Sequence, residues 1–199
     1  LNFIPMSPAE PSGLTGFDLG LELTMLDIDE KALYWKYAVR EGSPPSYFPF
    51  PKIHLQKGLP LGLDIGAMYS YVPDSNIRLL GAELKWAFVK GGTATPALAL
   101  RASYSKLLGV PHLNFQTERV DLSISKGILI LTPYAGIGGV FTQSDPLLPD
   151  GFPLTIKKES LANFVGYLGF RLSLGLLKLA LEADFSKVPS YSAKLSIGL

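Results

Sequence analysis

The C-terminal segment Leu177–Leu199 alternates strictly between apolar and polar side chains. Every second residue from Leu177 to Phe185 is apolar, and the intervening positions are mostly charged or small. A short turn at Lys187–Ser190 then leads into a second alternating stretch that ends at Leu199. Side chains that alternate with period two point to opposite faces of a β-strand. The segment therefore predicts a β-hairpin with one apolar face and one charged face.

Similar alternation recurs along most of the chain and predicts about ten strands, with eight or twelve as the alternatives. The other predicted strands are 15–25, 51–59, 62–72, 77–88, 96–107, 113–125, 128–141 and 160–173. In the sixth strand Leu113 and Phe115 are out of phase with the residues that follow, and we predict a bulge near Thr117. Most strands have roughly 10 to 13 residues, which approaches the length of a tilted strand that crosses a bilayer.

Two long proline-containing segments, 27–50 and 142–157, interrupt the strands. Both are rich in large apolar side chains, which we interpret as a ligand-binding surface or a lid. These are Tyr34, Trp35, Tyr37, Tyr47, Phe48 and Phe50 in the first, and Leu147, Leu148 and Phe152 in the second. Residues 1–14 contain three prolines and predict an irregular lead-in. The whole chain, 1–199, is thus predicted to be one domain, with the barrel at 15–199.

Composition narrows the environment of this barrel to two choices. The 199 residues are 47% hydrophobic with a mean hydropathy of +0.25, yet no stretch offers the roughly 20 apolar residues that a spanning helix needs. An apolar soluble β-protein and a transmembrane barrel both fit these values.

A formal net charge of +1, with scattered basic residues, argues against a nucleic-acid partner. The chain has no cysteine, which excludes disulfides and thiolate metal sites.

The positions of the aromatic residues favour the membrane. If the first strand runs outward, several tyrosines and phenylalanines on the apolar face, including Tyr71 and Tyr104, fall near one end of the barrel. Others, including Phe17 and Trp86, fall near the opposite end. Two aromatic girdles of this kind mark the interfaces of a membrane barrel. Small residues between the charged positions also suit the restricted interior of a narrow barrel.

On these features the chain resembles the bacterial outer-membrane β-barrels over residues 15–199. The resemblance implies an all-β, antiparallel, up-and-down transmembrane barrel, located in the bacterial outer membrane after removal of a signal peptide. It implies a lipid bilayer as the main partner, and we expect a monomer. Such proteins usually end in an aromatic residue, and Leu199 departs from that pattern.

Charged residues on the polar face are predicted to form a paired network in the lumen, because an unpaired buried charge is costly. They are Asp18, Glu22, Lys52, Asp64, Glu83, Lys85, Arg101, Arg119, Asp121, Arg171, Lys178, Glu182, Asp184 and Lys194. Counting back from the Gly91–Thr93 turn places Glu83 opposite Arg101 if no bulge intervenes. The same counting across the last hairpin places Lys194 beside Glu182 and Asp184.

Catalytic and cofactor chemistry have little support in the sequence. His54 is predicted to face the lumen and His112 to lie in a turn, and neither belongs to a recognisable catalytic arrangement. The glycines of 136–139 lack the lysine and helix of a phosphate loop. We therefore expect no enzyme activity, cofactor or metal. The preferred function is a narrow conduit or a binding protein for a small solute, and an apolar solute is among the candidates. A surface receptor or adhesin acting through the two long loops is the alternative, and an envelope hydrolase is less favoured.

Overall fold

A computed structural model describes residues 3–27, 47–72, 76–146 and 158–199. Within these residues the strands are β1 (Phe17–Asp27), β2 (Tyr47–Gly58), β3 (Leu63–Tyr71), β4 (Arg78–Lys90), β5 (Ala97–Leu108), β6 (Leu113–Ser125), β7 (Leu131–Pro146), β8 (Glu159–Leu174), β9 (Leu177–Phe185) and β10 (Ser190–Gly198). Each strand pairs antiparallel with its sequence neighbours, and β1 pairs with β10 to close the barrel. The predicted up-and-down barrel is confirmed, with ten strands over the described residues.

The two ends of the barrel differ in their connections. The terminal end, where β1 begins and β10 ends, carries short turns such as Pro60–Gly62 between β2 and β3. The opposite end, called here the loop end, is where segments 28–46 and 147–157 join their strands. Both segments lie outside the described residues, as do the predicted loop residues Tyr34, Trp35, Tyr37, Leu147, Leu148 and Phe152.

The predicted long loops are shorter than expected, because strands replace part of each. Strand β2 begins at Tyr47, whose side chain faces outward, while Phe50 faces inward and is buried. Phe48 also belongs to β2, and β7 continues to Pro146. Prolines at 49 and 51 suggested a loop, yet β2 accommodates them because its other edge is fully paired with β1. The interpretation of Tyr47, Phe48 and Phe50 as loop residues was therefore wrong.

The outer surface of the barrel is apolar and the inner surface polar. Leucine, isoleucine, valine and aromatic side chains dominate the exposed positions of the strands, whereas most charged strand residues are buried in the interior. Outward apolar side chains would aggregate in water but suit the hydrocarbon core of a bilayer. No helix among the described residues is long and apolar enough to cross a membrane.

Leu181→Arg tests this assignment of faces. Leu181 lies in the middle of β9 and points outward with 40% of its surface exposed. An arginine there would place its charge in hydrocarbon and should lower the free energy of unfolding by about 2–4 kcal/mol. Urea titration in lipid vesicles measures the loss. The control is Leu129→Arg, because Leu129 is fully exposed in the β6–β7 turn at the terminal end. A much smaller loss is expected there. Equal losses would contradict the membrane-facing assignment.

Three predictions about strand register were wrong: the Glu83–Arg101 pair, the bulge near Thr117 and the position of Lys194. The β4–β5 ladder begins at Lys90–Ala97, closer to the turn than predicted, and a bulge between Trp86 and Val89 then shifts the register by one residue. Together these place Lys85 rather than Glu83 opposite Arg101. The β6 ladders run without interruption past Thr117, so no bulge lies there. Leu113 and Phe115 instead keep the inward phase, because the interior at the loop end is apolar and packs against them.

The closing hairpin turns earlier than predicted. Strand β9 ends at Phe185 and β10 begins at Ser190, and Ser186 Oγ closes the turn by donating to the carbonyl oxygen of Val188 at 2.8 Å. This places Lys194 opposite Ala180 rather than beside Glu182 and Asp184. On the β1 side, Lys194 faces Glu22.

Residues 3–12 enter the barrel rather than remaining outside it. Phe3 packs near the loop end against the ring of His54, with 5.2 Å between ring centroids. Ser12 reaches Asp64 near the terminal end, where β1 then begins. The N-terminal segment, defined here as residues 3–12, therefore runs along the lumen and fills its centre.

Candidate functional site in the barrel interior

The fourteen charged residues predicted for the lumen all belong to inward positions of the strands, and thirteen of them are buried. Arg171 is the partly exposed exception and lies 3.9 Å from Glu10 of the N-terminal segment. The other charges gather into groups that contain residues from distant strands. These groups decide which part of the interior is available to a ligand.

His54 forms the centre of the first group and has no exposed surface. Its Nδ1 lies 2.9 Å from Glu22 Oε1, and its Nε2 lies 3.1 Å from Glu83 Oε1. Lys194 Nζ approaches the same Nδ1 at 2.9 Å, and Lys52 Nζ lies 3.4 Å from Glu22 Oε2. Both ring nitrogens of His54 have partners, and the ring has no exposed surface. His54 therefore connects β2 with β1, β4 and β10 and is not placed to bind a substrate.

Asp121 is the centre of the second group. It accepts two hydrogen bonds from Arg101, at 3.2 and 3.0 Å, and one from Arg119 Nε at 3.1 Å. The hydroxyl of Tyr167 donates to Asp121 Oδ1 at 2.6 Å. Arg119 also donates to Asp184 at 2.7 Å. Bidentate, charge-assisted hydrogen bonds of this kind are among the stronger hydrogen bonds in proteins.

Both arginines of this group lie close to the ring of Tyr167. Its centroid is 5.3 Å from Arg101 Cζ and 5.0 Å from Arg119 Cζ, which places both cations against the ring. Gly136 faces this ring from β7, where a side-chain carbon would collide with it. The alternation along β8 is consistent with an inward Tyr167, but it does not indicate which residues the ring contacts.

Smaller contacts complete the network towards the terminal end. Lys85 Nζ lies 2.9 Å from Asp64 Oδ2, and Lys178 Nζ lies 3.7 Å from Asp18 Oδ2. Glu182 is buried on β9, and neither of its carboxylate oxygens has a hydrogen-bond partner among the described residues. Apart from Glu182, the buried acidic and basic groups named here neutralise one another.

The N-terminal segment is bound through backbone carbonyls in the centre of the lumen, and through backbone N–H groups and the Glu10 carboxylate nearer the terminal end. Arg101 Nη1 donates to the Pro5 oxygen at 2.5 Å, and Lys85 Nζ donates to the oxygens of Pro8 and Glu10 at 2.8 and 3.0 Å. Proline has no N–H, so Pro5, Pro8 and Pro11 bring acceptors into the lumen without donors that need partners. This insertion was not predicted from the sequence, although prolines at every third position are typical of an extended helix without internal hydrogen bonds.

An apolar cluster closes the interior above these charges, nearer the loop end. It contains Phe3, Phe50, Met68, Leu79 and Leu107, with Val72 and Leu113 among the residues packed against it. The cluster, the charge groups and the N-terminal segment together occupy the central lumen. A ligand therefore has to bind at the loop end or outside the wall.

A cavity of about 510 Å³ lies at the loop end, and we call it the loop-end pocket. Its apolar lining includes Ile4, Leu26, Phe50, Val140 and Leu161, and its polar lining includes Thr24, Lys52, Thr142, Asn163, Asp184 and Lys187. The volume lies within the range of small-molecule sites, about 300–1,000 Å³. Strands β7 and β8 extend beyond the short β9–β10 hairpin, so one side of the rim is low. None of the polar residues except Lys52 and Asp184 was a predicted site residue.

Neither histidine lines this pocket, and the described residues form no metal site. His54 is enclosed in its group, and His112 lies in the exposed β5–β6 turn. Among the described residues, no cluster of three or more histidine, aspartate or glutamate side chains has metal-site geometry. What the interior offers is a mixed polar and apolar binding surface.

A closed ten-stranded antiparallel barrel with an apolar exterior and a charged interior defines a transmembrane β-barrel of the outer-membrane type. The resemblance predicted from alternation is thereby confirmed at the level of the fold. Residues 19–199 match the model of a family of unknown function, DUF6588, and the chain belongs to that family.

Comparison with other proteins adds structural neighbours of low identity. The N-terminal β-barrel domain of Pseudomonas aeruginosa OprF has 10% identity and a TM-score of 0.43, with 94% of this chain and 97% of that chain covered. The attachment invasion locus protein Ail of Yersinia pestis has 7% identity and a TM-score of 0.36, covering 95% and 96% of the two chains. Neisserial surface protein A has 8% identity and a TM-score of 0.33, covering 92% and 94%. No curated protein matches the chain.

Proposed function

We propose that the protein is a bacterial outer-membrane binding protein that takes up a small amphipathic solute in the loop-end pocket. The observation that carries the proposal is the pocket itself, a cavity of about 510 Å³ with an apolar side and a polar side. The outer-membrane location is supported by the apolar belt and by the closed strand order, since closed barrels are the β-structures that span membranes.

The charges of the pocket favour an anionic head group. Lys52 and Lys187 line the cavity together with a single carboxylate, Asp184. Asp184 already accepts a hydrogen bond from Arg119 at 2.7 Å, and Lys52 is already paired with Glu22 at 3.4 Å, so Lys187 provides the available charge. Lys187 lies at the rim and has no ion-pair partner among the described residues. A carboxylate or similar anion can therefore approach Lys187 while its tail contacts Ile4, Phe50 and Val140.

A permanently open pore fits the interior less well. The N-terminal segment, the paired charges and the apolar cluster lie in succession along the lumen below the pocket. A conduit through the barrel would require the N-terminal segment to leave. The receptor alternative depends on the two long loops, most of whose residues lie outside the described part of the chain.

Filling the pocket provides the test. Val140→Trp places a large ring in the cavity from β7 and should reduce the affinity for dodecanoate by about tenfold or more, by the steric exclusion of a well-packed tail. Native mass spectrometry of the detergent-released protein measures the bound fraction. Val120→Trp is the matched control, because Val120 faces outward on the neighbouring strand β6. Equal binding by both variants, or no binding by the unaltered chain, would contradict the proposal.

A further inference from the structure

The wall of the barrel has an incomplete ladder between β2 and β3. Paired residues extend from Gly58–Asp64 only to Ile53–Tyr69, although β2 continues to Tyr47 and β3 to Tyr71. Over the same stretch β2 remains paired with β1, and β3 remains paired with β4. Because β3 ends at Tyr71, two pairs are missing from the ladder, Lys52 with Ser70 and Pro51 with Tyr71. This stretch, called here the seam, is held from its two outer sides, and one side-chain hydrogen bond crosses it.

A proline explains why the ladder stops here. The Pro51 carbonyl oxygen points to β3, where it accepts a hydrogen bond from Ser70 Oγ at 2.5 Å. In an antiparallel strand the N–H and C=O of one residue point to the same neighbour. Because proline has no N–H, Pro51 cannot donate the hydrogen bond that would continue the ladder towards Tyr71. Strand β2 is therefore without a backbone donor at the position where the ladder stops.

Apolar surface lies on both sides of the seam. On the membrane side, an open depression of about 520 Å³ extends over the outer surface of β9, β10, β1, β2 and β3, and Pro51, Ile53, Tyr69 and Tyr71 line its part at the seam. On the inner side, Phe50 of β2 packs with Met68 of β3 in the apolar cluster. A polar solute would lose its hydration in such a passage without new partners, whereas an aliphatic chain would not.

Phe50 connects the seam with the loop-end pocket. Its side chain belongs to the apolar cluster behind the seam and also lines the pocket, while Pro51, the next residue, lines the outer depression. Rotation of this side chain, and separation of the two strand segments with loss of the Ser70–Pro51 hydrogen bond, would join the pocket to the bilayer. The backbone hydrogen bonds that normally resist such a separation are absent from this part of the ladder.

We propose that the seam is a lateral opening through which the aliphatic tail of the bound solute exchanges between the loop-end pocket and the bilayer. This inference rests on the proposed function and adds the route and the class of solute: a single-tailed amphipathic anion that leaves into lipid. The low rim above β9–β10 gives access from the loop end, and the seam gives access to the membrane.

A cysteine pair across the seam tests the opening. Continuing the register by two residues from Ile53–Tyr69 places Pro51 opposite Tyr71, so Pro51→Cys with Tyr71→Cys can be joined by oxidation in a chain that has no other cysteine. The control pair is Leu55→Cys with Ala67→Cys, which are opposed within the intact ladder. Full-length protein in nanodiscs is loaded with dansyl-undecanoate, and its transfer to bilayer lipids that carry a doxyl quencher is followed over time.

Oxidation of the seam pair should slow this transfer by about tenfold with unchanged affinity, as expected where a gate limits release. Reduction should restore the rate, and the control pair should respond to neither treatment. Pro51→Val, which returns the missing donor, should also slow transfer and serves where the disulfide does not form. Normal binding with unchanged transfer rates overturns the lateral opening alone. Absence of dansyl-undecanoate binding in the unaltered protein overturns the proposed function as well.

Discussion

Asp121→Asn is expected to lower the free energy of unfolding by about 3–5 kcal/mol, because it removes the shared counter-ion of two buried guanidinium groups. Asp121 is 1% exposed and receives hydrogen bonds from Arg101, Arg119 and Tyr167. Asparagine keeps nearly the same shape, so packing is preserved and the loss reports on charge. After the change Arg119 still has Asp184, but no carboxylate remains hydrogen-bonded to Arg101.

Asp145→Asn provides the matched control for this prediction. Asp145 forms an exposed ion pair with Lys158 at 3.9 Å, with side chains 42% and 56% exposed. The same substitution there should cost about 0–1 kcal/mol, since water screens the pair. Urea titration in lipid vesicles, followed by tryptophan fluorescence, compares the two variants. Similar losses would show that the interior charges are solvated and not a connected network.

Removal of residues 1–12 is expected to change a closed barrel into a conducting one. Without the N-terminal segment, Arg101 and Lys85 lose their contacts with the Pro5, Pro8 and Glu10 carbonyls, and water can enter the centre of the lumen. Planar-bilayer recording should show discrete current steps for the shortened chain and none for the full chain. Circular dichroism and resistance to detergent unfolding check that the shortened barrel has folded.

A full-length variant separates displacement of the segment from its deletion. Ala9 of the N-terminal segment packs against Ala97 and Ala99 of β5 in a buried cluster of alanines. Ala9→Cys with Ala99→Cys should therefore be able to form a disulfide that holds the segment in place. The oxidised variant should remain silent at any voltage. Current steps from this locked protein, or silence from the shortened one, would show that the N-terminal segment is not what closes the lumen.

The hydrophobic alternation was sufficient to predict the strands and their faces. In the closing hairpin, for example, Leu181 faces lipid and Lys194 faces the interior, as the pattern indicated. The phase of a strand depends only on its own residues, so errors elsewhere in the barrel do not affect it. Ladder partners were less predictable, because both the first pair at the turn, Lys90–Ala97, and the bulge between Trp86 and Val89 shift every pair beyond them.

The hydrophobic alternation does not predict the loop-end pocket or the seam, for a different reason. The pocket combines Ile4 with Phe50, Val140 and Asp184, which only closure of the barrel brings together. The prolines of β2 were read as loop residues, and their effect on one edge of a paired strand depends on which neighbour each carbonyl faces.

The sequence by itself determined that this chain forms an antiparallel barrel of long strands with an apolar exterior and charges inside, since period two is a local property of each strand. Only the tertiary structure decided the partners of those charges. His54 meets Lys194 from the far end of the chain, and Arg101 meets a backbone carbonyl of Pro5. Such contacts depend on register, on turn length and on the path of residues 3–12 through the lumen, and none of these is encoded in the alternation of neighbouring residues.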